Sequence, residues 1–67
     1  MSITLKAARV NQNLTQTEAA ELIGVSKDIV SNWERGLTFP NVIQLKNIEK
    51  AYKVSYSELN FIPKENA

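Results

Sequence analysis

The 67-residue sequence contains no cysteine and no histidine. Without cysteine, no disulfide can stabilise the fold and no thiolate can attack a substrate or bind a metal. Without histidine, the sequence also lacks the most frequent general base and a frequent zinc ligand. These absences exclude Ser-His-Asp and Cys-His catalysis. We therefore expect a protein that is not an enzyme and that uses neither a metal nor a cofactor.

Long apolar runs and an excess of charge of one sign are also missing. No apolar run approaches the roughly 20 residues that a membrane-spanning helix needs, and no signal-peptide pattern opens the chain. The net charge is +1 and the sequence pI is about 8.0, which is too low to indicate a nucleic-acid-binding protein by itself. We expect a soluble, intracellular protein whose function depends on where particular charges lie.

The length and composition predict one small globular domain. Hydrophobic residues make up 43% of the chain and charged residues 22%, which is an ordinary globular mixture. A chain this short buries only a modest part of its surface, so short helices with local contacts are favoured over a large sheet. We expect a single domain over residues 1–67, with its core at about 3–60 and a short tail at 61–67.

Apolar spacing and capping signals predict five short helices with short connections. Two capping boxes, Thr15-x-x-Glu18 and Ser55-x-x-Glu58, open the second and fifth helices. Gly24 ends the second helix because glycine readily adopts a positive φ. The first helix is expected to end near residues 11–13, the second to span 16–23, the third to run from its cap at 26 to about 34, the fourth to follow its cap at 41, and the fifth to end near residue 60. The predicted fold is a compact all-α domain of five helices.

The fourth helix has apolar residues at intervals of three and four, which predicts one buried face. Lys46 and Lys50 lie on its other side and are expected to be solvated. The predicted buried residues are Val42, Leu45, Ile48, Ala51 and Tyr52.

Helices two and three are joined by only three residues, which predicts a steep crossing and a helix-turn-helix. Small residues are needed where two crossed helices approach, and Ala20 and Gly24 provide them. Larger apolar residues on the far side are expected to fix the crossing angle: Val25, Val30 and Trp33.

At these positions the chain resembles the lambda-repressor/Cro-like (Xre-type) helix-turn-helix family of DNA-binding domains. The resemblance implies that family's fold and the binding of double-stranded DNA. The matching residues span 5–59 and comprise Leu5-Lys6-x-x-Arg9, Leu14-Thr15-Gln16-x-Glu18-x-Ala20, Gly24-Val25-Ser26, Val30-Ser31-x-Trp33-Glu34-Arg35-Gly36, Pro40, Leu45, Ile48, Val54-Ser55 and Glu58-Leu59.

Helical geometry indicates which residues of the third helix face DNA. At about 100° per residue, Val30 and Trp33 point inward, Asp28 and Asn32 point outward, and Ile29 and Ser31 flank them. Lys27 lies on the first turn, from where its long side chain can swing outward. An asparagine can donate and accept at adenine, an aspartate can accept from cytosine, a lysine can reach guanine, and an isoleucine can contact the thymine methyl group. Alternatively, the asparagine is simply solvated, the aspartate only favours the helix dipole, the lysine contacts a phosphate and the isoleucine extends the core edge. The expected base-contacting residues are Lys27, Asp28, Ile29, Ser31 and Asn32.

Contacts to phosphates are expected to hold this helix in register. Free backbone amides at the start of a helix bind anions, and the resemblance gives Gln16 a phosphate contact, the alternative being an ordinary surface glutamine. The resemblance also implies an internal ion pair between Arg9 and Glu34 that braces the first helix against the end of the third. The expected phosphate-contacting residues are Thr15, Gln16, Ser26, Arg35 and Asn41.

Four apolar residues after the third helix and in the tail are candidates for a homodimer interface, or else they fold back onto their own core. They are Leu37, Phe39, Phe61 and Ile62. Two subunits would place two reading helices one DNA turn (~34 Å) apart on a palindrome.

The predicted function is sequence-specific DNA binding by a transcriptional regulator. We expect a repressor that acts as a homodimer in the cytoplasm, at the nucleoid of a bacterial or phage-infected cell. The alternative is a protein-interaction module, such as an antitoxin or adaptor, that uses the apolar loop and tail residues.

Overall fold

The computed structural model describes residues 2–61. The domain is small and helical, as predicted, but the number of α-helices among these residues is four rather than five. In chain order the elements are β1 (Ile3–Thr4), α1 (Leu5–Asn11), α2 (Gln16–Ile23), α3 (Lys27–Glu34), α4 (Val42–Tyr52), a 3-10 turn (Tyr56–Glu58) and β2 (Leu59–Asn60).

The predicted fifth helix is a single 3-10 turn followed by a strand. β2 pairs in parallel with β1, so that Ile3 lies opposite Leu59 and Thr4 lies opposite Asn60. Leu59 is extended and buried in the core. Helix formation begins with a costly first turn, and a five-residue segment gains more from the hydrogen bonds that pairing with β1 provides. Strands of two residues show no readable alternation in a sequence, so this pair was not predicted.

The four helices begin at side-chain caps that hold their first turns. Thr15, Ser26 and Asn41 cap α2, α3 and α4, as their residue types predict. Gly24 ends α2 in the left-handed region, with φ of 90°. The prediction that Gly24 must also be small for close packing is wrong, because a Cβ built there would meet no heavy atom within 4 Å. Gly24 is therefore needed for its left-handed backbone conformation and not for its small size.

One hydrophobic core joins all four helices and the strand pair. α2 packs against both α3 and α4, while α1 contacts α3 and α4. Val30, Ile48 and Tyr52 are its largest fully buried side chains. The other buried apolar residues are Leu5, Ala8, Ala19, Ala20, Ile23, Trp33 and Leu59.

The apolar face predicted for α4 is buried only beyond its first turn. Ile48 and Tyr52 are buried, and Leu45 and Ala51 are partly buried. Val42, however, is 69% exposed, so its predicted burial is wrong. Its neighbour Ile43 is 72% exposed, so the first two residues of α4 lie outside the packed core.

Candidate nucleic-acid interface

The turn between α2 and α3 is fixed by local hydrogen bonds. The carbonyl of Ala20 accepts from the N–H groups of Gly24 (2.8 Å) and Val25 (3.0 Å), which closes the end of α2. Ser26 Oγ then accepts from the Ile29 N–H at 3.3 Å and starts α3. Because these bonds leave only three residues between the helices, α3 is held across α2 in a helix-turn-helix.

The outer side of α3 is polar and open, as an interface requires. Val30 and Trp33 are buried on the inner side. The five predicted base-contacting residues all keep solvent exposure: Lys27, Asp28 and Ile29 are exposed, and Ser31 and Asn32 are half-buried. Ile29 is 37% exposed, so part of its side chain can contact a ligand. The structure therefore brings all five residues together on one continuous surface.

The chemistry of this surface can distinguish base pairs. The side-chain amide of Asn32 has no hydrogen-bond partner among residues 2–61, so its donor and acceptor remain available. A primary amide matches the donor and acceptor that adenine presents in the major groove. Lys27 and Asp28 carry opposite charges side by side, so the surface has no net charge. A ligand of this surface would be held by hydrogen bonds and apolar contacts rather than by net charge.

The start of α2 presents two backbone N–H groups to a ligand. Thr15 Oγ1 accepts from the Glu18 N–H at 3.1 Å, and a Glu18 carboxylate oxygen accepts from the Thr15 N–H at 2.9 Å. This capping box leaves the amides of Gln16 and Thr17 without a partner in the described part of the chain. Such amides form an anion site, although the Glu18 carboxylate beside it opposes a phosphate.

The start of α4 has the same arrangement without a charge. Asn41 Oδ1 accepts from the Gln44 N–H, and Gln44 Oε1 accepts from the Asn41 N–H, both at 2.8 Å. The backbone N–H groups of Val42 and Ile43 likewise have no hydrogen-bond partner in the described part of the chain. Because both capping side chains are neutral amides, this end of α4 accommodates an anion at lower electrostatic cost than the start of α2. The role of Gln44 was not foreseen, although the pattern Asn-x-x-Gln follows the capping-box rule.

Arg9 and Glu34 form a buried ion pair between α1 and the end of α3. Arg9 Nε lies 2.6 Å from Glu34 Oε2, and the two side chains are only 9% and 6% exposed. Arg9 Nη1 also donates to the carbonyl of Leu14 at 2.7 Å. The hydrogen bond to Glu34 raises the pKa of Arg9 above its ordinary value, although burial opposes this shift. The guanidinium therefore stays charged and holds three segments together.

Gln16 joins this network. Its Nε2 donates to Glu34 Oε1 at 3.0 Å, and the residue is half-buried at the start of α2. Arg35, in contrast, is exposed at the end of α3. Within residues 2–61 it has no carboxylate partner within 4.0 Å, so its charge is available to a ligand.

The apolar residues proposed for a dimer interface make contacts within the chain and yet remain exposed. The rings of Phe39 and Phe61 meet edge-on with centroids 6.4 Å apart. Phe39 is nevertheless 57% exposed, and Leu37 is 45% exposed. The ring contact favours residues that fold back onto their own chain, and the exposure favours residues that form a homodimer interface. Ile62 lies outside the described residues.

An apolar groove beside Phe39 extends this surface. It has a volume of about 280 Å³ and is lined by Phe39, Pro40, Leu45, Tyr56 and Phe61. Tyr56, which is 56% exposed and lies 6.0 Å from the Phe61 ring, was missed by sequence reasoning. A polar capping motif surrounds Tyr56 in the sequence, so nothing there indicates an apolar wall.

Residues 2–61 contain neither a candidate metal site nor a candidate membrane span. No group of three or more acidic residues is close enough to hold a metal ion. None of the helices is long and apolar enough to cross a membrane.

Comparison with known proteins agrees with this geometry. A family model described as "Helix-turn-helix" matches residues 5–59. The chain is 42% identical over 55 residues to the HTH-type transcriptional activator BcrR of Enterococcus faecalis. That alignment covers 82% of this chain but only 27% of the relative, so the chain spans about a quarter of the relative's length. No solved structure is significantly similar to the chain.

Proposed function

Since this chain belongs to the lambda-repressor/Cro-like (Xre-type) helix-turn-helix family of DNA-binding transcription regulators, we propose that it reads a specific duplex sequence with the outer side of α3. The observation that carries this proposal is the open polar surface from Lys27 to Asn32, held across α2 by the buried Val30 and Trp33. Such a surface fits the major groove, where base edges are distinguishable.

Groups that can contact phosphates lie before and after α3 in the chain and support this docking. The free amides at the starts of α2 and α4 precede and follow α3 in the chain, and Arg35 lies at its end. Thr15, Ser26 and Asn41 contribute mainly by capping these helices, which keeps the amides aligned. Together these groups hold α3 in register while its side chains read bases.

The protein acts as a homodimer on a palindromic site. A single α3 covers only a few base pairs, whereas two copies one DNA turn (~34 Å) apart combine their contacts. The exposed side chains of Leu37 and Phe39 and the groove beside them support an apolar twofold contact.

Bound at a promoter in the cytoplasm, the dimer represses transcription by blocking access of RNA polymerase. Occupancy of the promoter alone is sufficient for this effect. The name of the Enterococcus faecalis relative supports activation as the second candidate. Transcription in vitro from a promoter that overlaps the selected site distinguishes the two, since repression lowers the transcript yield and activation raises it.

The central experiment selects bound sequences from random duplex DNA with the full chain. We expect a motif with twofold symmetry, and binding to it that weakens as salt is added. Asn32→Ala is expected to weaken binding to the selected duplex about 5- to 100-fold and to relax the preference at one base pair. Asn60→Ala, which changes an exposed asparagine on β2 outside the helix-turn-helix, serves as the control.

The protein-interaction alternative is supported by the apolar groove of Phe39, Tyr56 and Phe61. It predicts that no motif is selected and that Asn32→Ala has no effect on any binding. A selected motif whose recognition depends on Asn32 would exclude it as the main function.

A further inference from the structure

We propose that Glu34 is a positioning residue for DNA-backbone binding, because its carboxylate orients the Gln16 side-chain amide so that this amide donates to a phosphate. This inference rests on the proposed function, specifically on the phosphate contact of Gln16. It also gives the Arg9–Glu34 ion pair a part in recognition, in addition to bracing the fold.

The contact between the first residue of α2 and the last residue of α3 carries the proposal. Gln16 Nε2 donates to Glu34 Oε1 at 3.0 Å across 18 positions of sequence. A carboxylate only accepts hydrogen bonds, so the amide turns its nitrogen toward Glu34. If the Gln16 amide were flipped, its Oε1 would face a carboxylate oxygen of Glu34, and the two acceptors would repel each other. Because Nε2 carries two hydrogens, one is used by Glu34 and the other is left for a phosphate, which also only accepts.

Arg9 makes this arrangement compatible with a nearby phosphate. Its Nε donates to Glu34 Oε2 at 2.6 Å and its Nη2 donates to Glu34 Oε1 at 3.2 Å. Oε1 therefore accepts from both Arg9 and Gln16. This fork fixes the plane of the buried carboxylate. The guanidinium also balances the negative charge of Glu34, which would otherwise repel DNA through the short Gln16 side chain.

Gln16 is available for this role because another residue caps α2. At the start of α4, Gln44 uses its Oε1 to accept from the Asn41 N–H. At the start of α2 the equivalent bond is made by Glu18, two residues after Gln16. The Gln16 side chain is thus directed by Glu34 alone among the described residues, and it remains partly exposed.

The first test measures binding of the full chain to the selected duplex for Gln16→Ala, Glu34→Gln and the double variant. Gln16→Ala is expected to weaken binding about tenfold, the effect of losing one hydrogen bond to a charged group. Glu34→Gln is expected to weaken DNA binding roughly several-fold. The double variant is expected to bind the duplex no more weakly than Gln16→Ala does. A duplex with a neutral methylphosphonate at the contacted phosphate is expected to abolish both single effects.

The outcomes separate this inference from the proposed function. If Glu34→Gln and Gln16→Ala each weaken binding but their effects add, Glu34 acts independently of Gln16 and the inference is wrong. If Gln16→Ala leaves the affinity unchanged, the phosphate contact in the proposed function is wrong as well. Loss of sequence-specific binding by the unaltered chain would contradict the proposed function itself.

A second test uses the unaltered chain, in case Glu34→Gln unfolds it by leaving Arg9 partly unpaired. NMR relaxation reports the mobility of each glutamine side-chain amide. Gln12, whose side chain makes no hydrogen bond within residues 2–61, is the control. We expect a clearly higher order parameter for the side-chain amide of Gln16 than for that of Gln12, which we expect to be below about 0.6. A Gln16 amide as mobile as that of Gln12 would overturn the proposal.

Discussion

The side chain of Asn47 on α4 donates from Nδ2 to the carbonyl oxygen of Ile23, the last residue of α2, at 3.2 Å. The last carbonyl groups of a helix lack intrahelical partners. Gly24 and Val25 together satisfy the carbonyl of Ala20, and Asn47 satisfies that of Ile23. This bond therefore fixes the end of α2 to α4, immediately before the turn that orients α3.

Removing this bond is expected to destabilise the domain without changing its surface. Asn47→Ala leaves the Ile23 carbonyl without its partner, which we expect to lower the free energy of unfolding by about 1 kcal/mol. In a domain of this size such a loss lowers Tm by about 4–8 °C. Thermal unfolding followed by circular dichroism measures it. Asn11→Ala, at an exposed position at the end of α1, is the control, and an equal Tm for both variants would show that the bond contributes nothing.

Local features of this fold could be predicted from the sequence because residue type determines them. Thr15, Ser26 and Asn41 each have a short side chain that can cap a helix, and each does so. The left-handed residue at Gly24 follows from the same reasoning. In contrast, the Asn47–Ile23 bond joins residues 24 positions apart, and the β1–β2 pair joins the two ends of the described chain. Neither has a local signal.

The same distinction between local features and tertiary contacts applies to the candidate site. Helical periodicity placed Asp28 and Asn32 on the outer side of α3, and both keep solvent exposure there. Periodicity failed for Val42, because it identifies an apolar face but not whether another element covers it. The bond between Gln16 and Glu34 depends on how α2 and α3 cross, and only the tertiary structure shows it.

The end of α4 contains backbone strain that a glycine would relieve. Lys53 adopts the left-handed conformation, with φ of 57° and ψ of 44°, which is costly for a residue with a Cβ. Lys53→Gly is expected to raise the free energy of unfolding by about 0.5–1 kcal/mol, measured by urea denaturation. The matched change Lys50→Gly, within α4, is expected to lower it by about 1 kcal/mol. Destabilisation by both variants would contradict this account of Lys53.

Tyr52 is expected to make the fold sensitive to high pH. Burial raises the pKa of its phenol from 10.0 to about 12, the negative charge of Glu34 adds to this shift, and Arg9 opposes it. Between pH 10 and 12 the unfolded chain therefore loses this proton while the folded chain keeps it. The resulting stability is complete below about pH 10 and disappears as the pH approaches 12, a loss of roughly 1–2 kcal/mol.

Urea denaturation at pH 9 and pH 11.5 measures this effect. Tyr52→Phe, which has no proton to lose at this position, is expected to lose less stability over the interval than the unaltered chain. Tyr56→Phe changes an exposed tyrosine and is expected to behave like the unaltered chain. Identical pH dependence for the two variants would contradict the assignment.

The proposed dimer contact depends on Phe39. Since Phe39 is 57% exposed, Phe39→Ser is expected to cost little stability but to make DNA binding non-cooperative and about tenfold weaker. Leu22→Ser removes a similarly exposed apolar side chain, 61% exposed, outside the groove. It is expected to leave binding unchanged. Sedimentation of the protein–DNA complex gives the stoichiometry, and two copies bound for Phe39→Ser with unchanged cooperativity would exclude this contact.

The most direct test of the account is an NMR titration of the ¹⁵N-labelled full chain with the selected duplex. If the outer side of α3 enters the groove while helix starts hold the phosphates, the largest shifts will occur at residues 15–18, 26–32 and 41–43. If these amides do not move at low salt, or if the shifts are confined to the groove of Phe39, Tyr56 and Phe61, α3 is not the DNA-reading element.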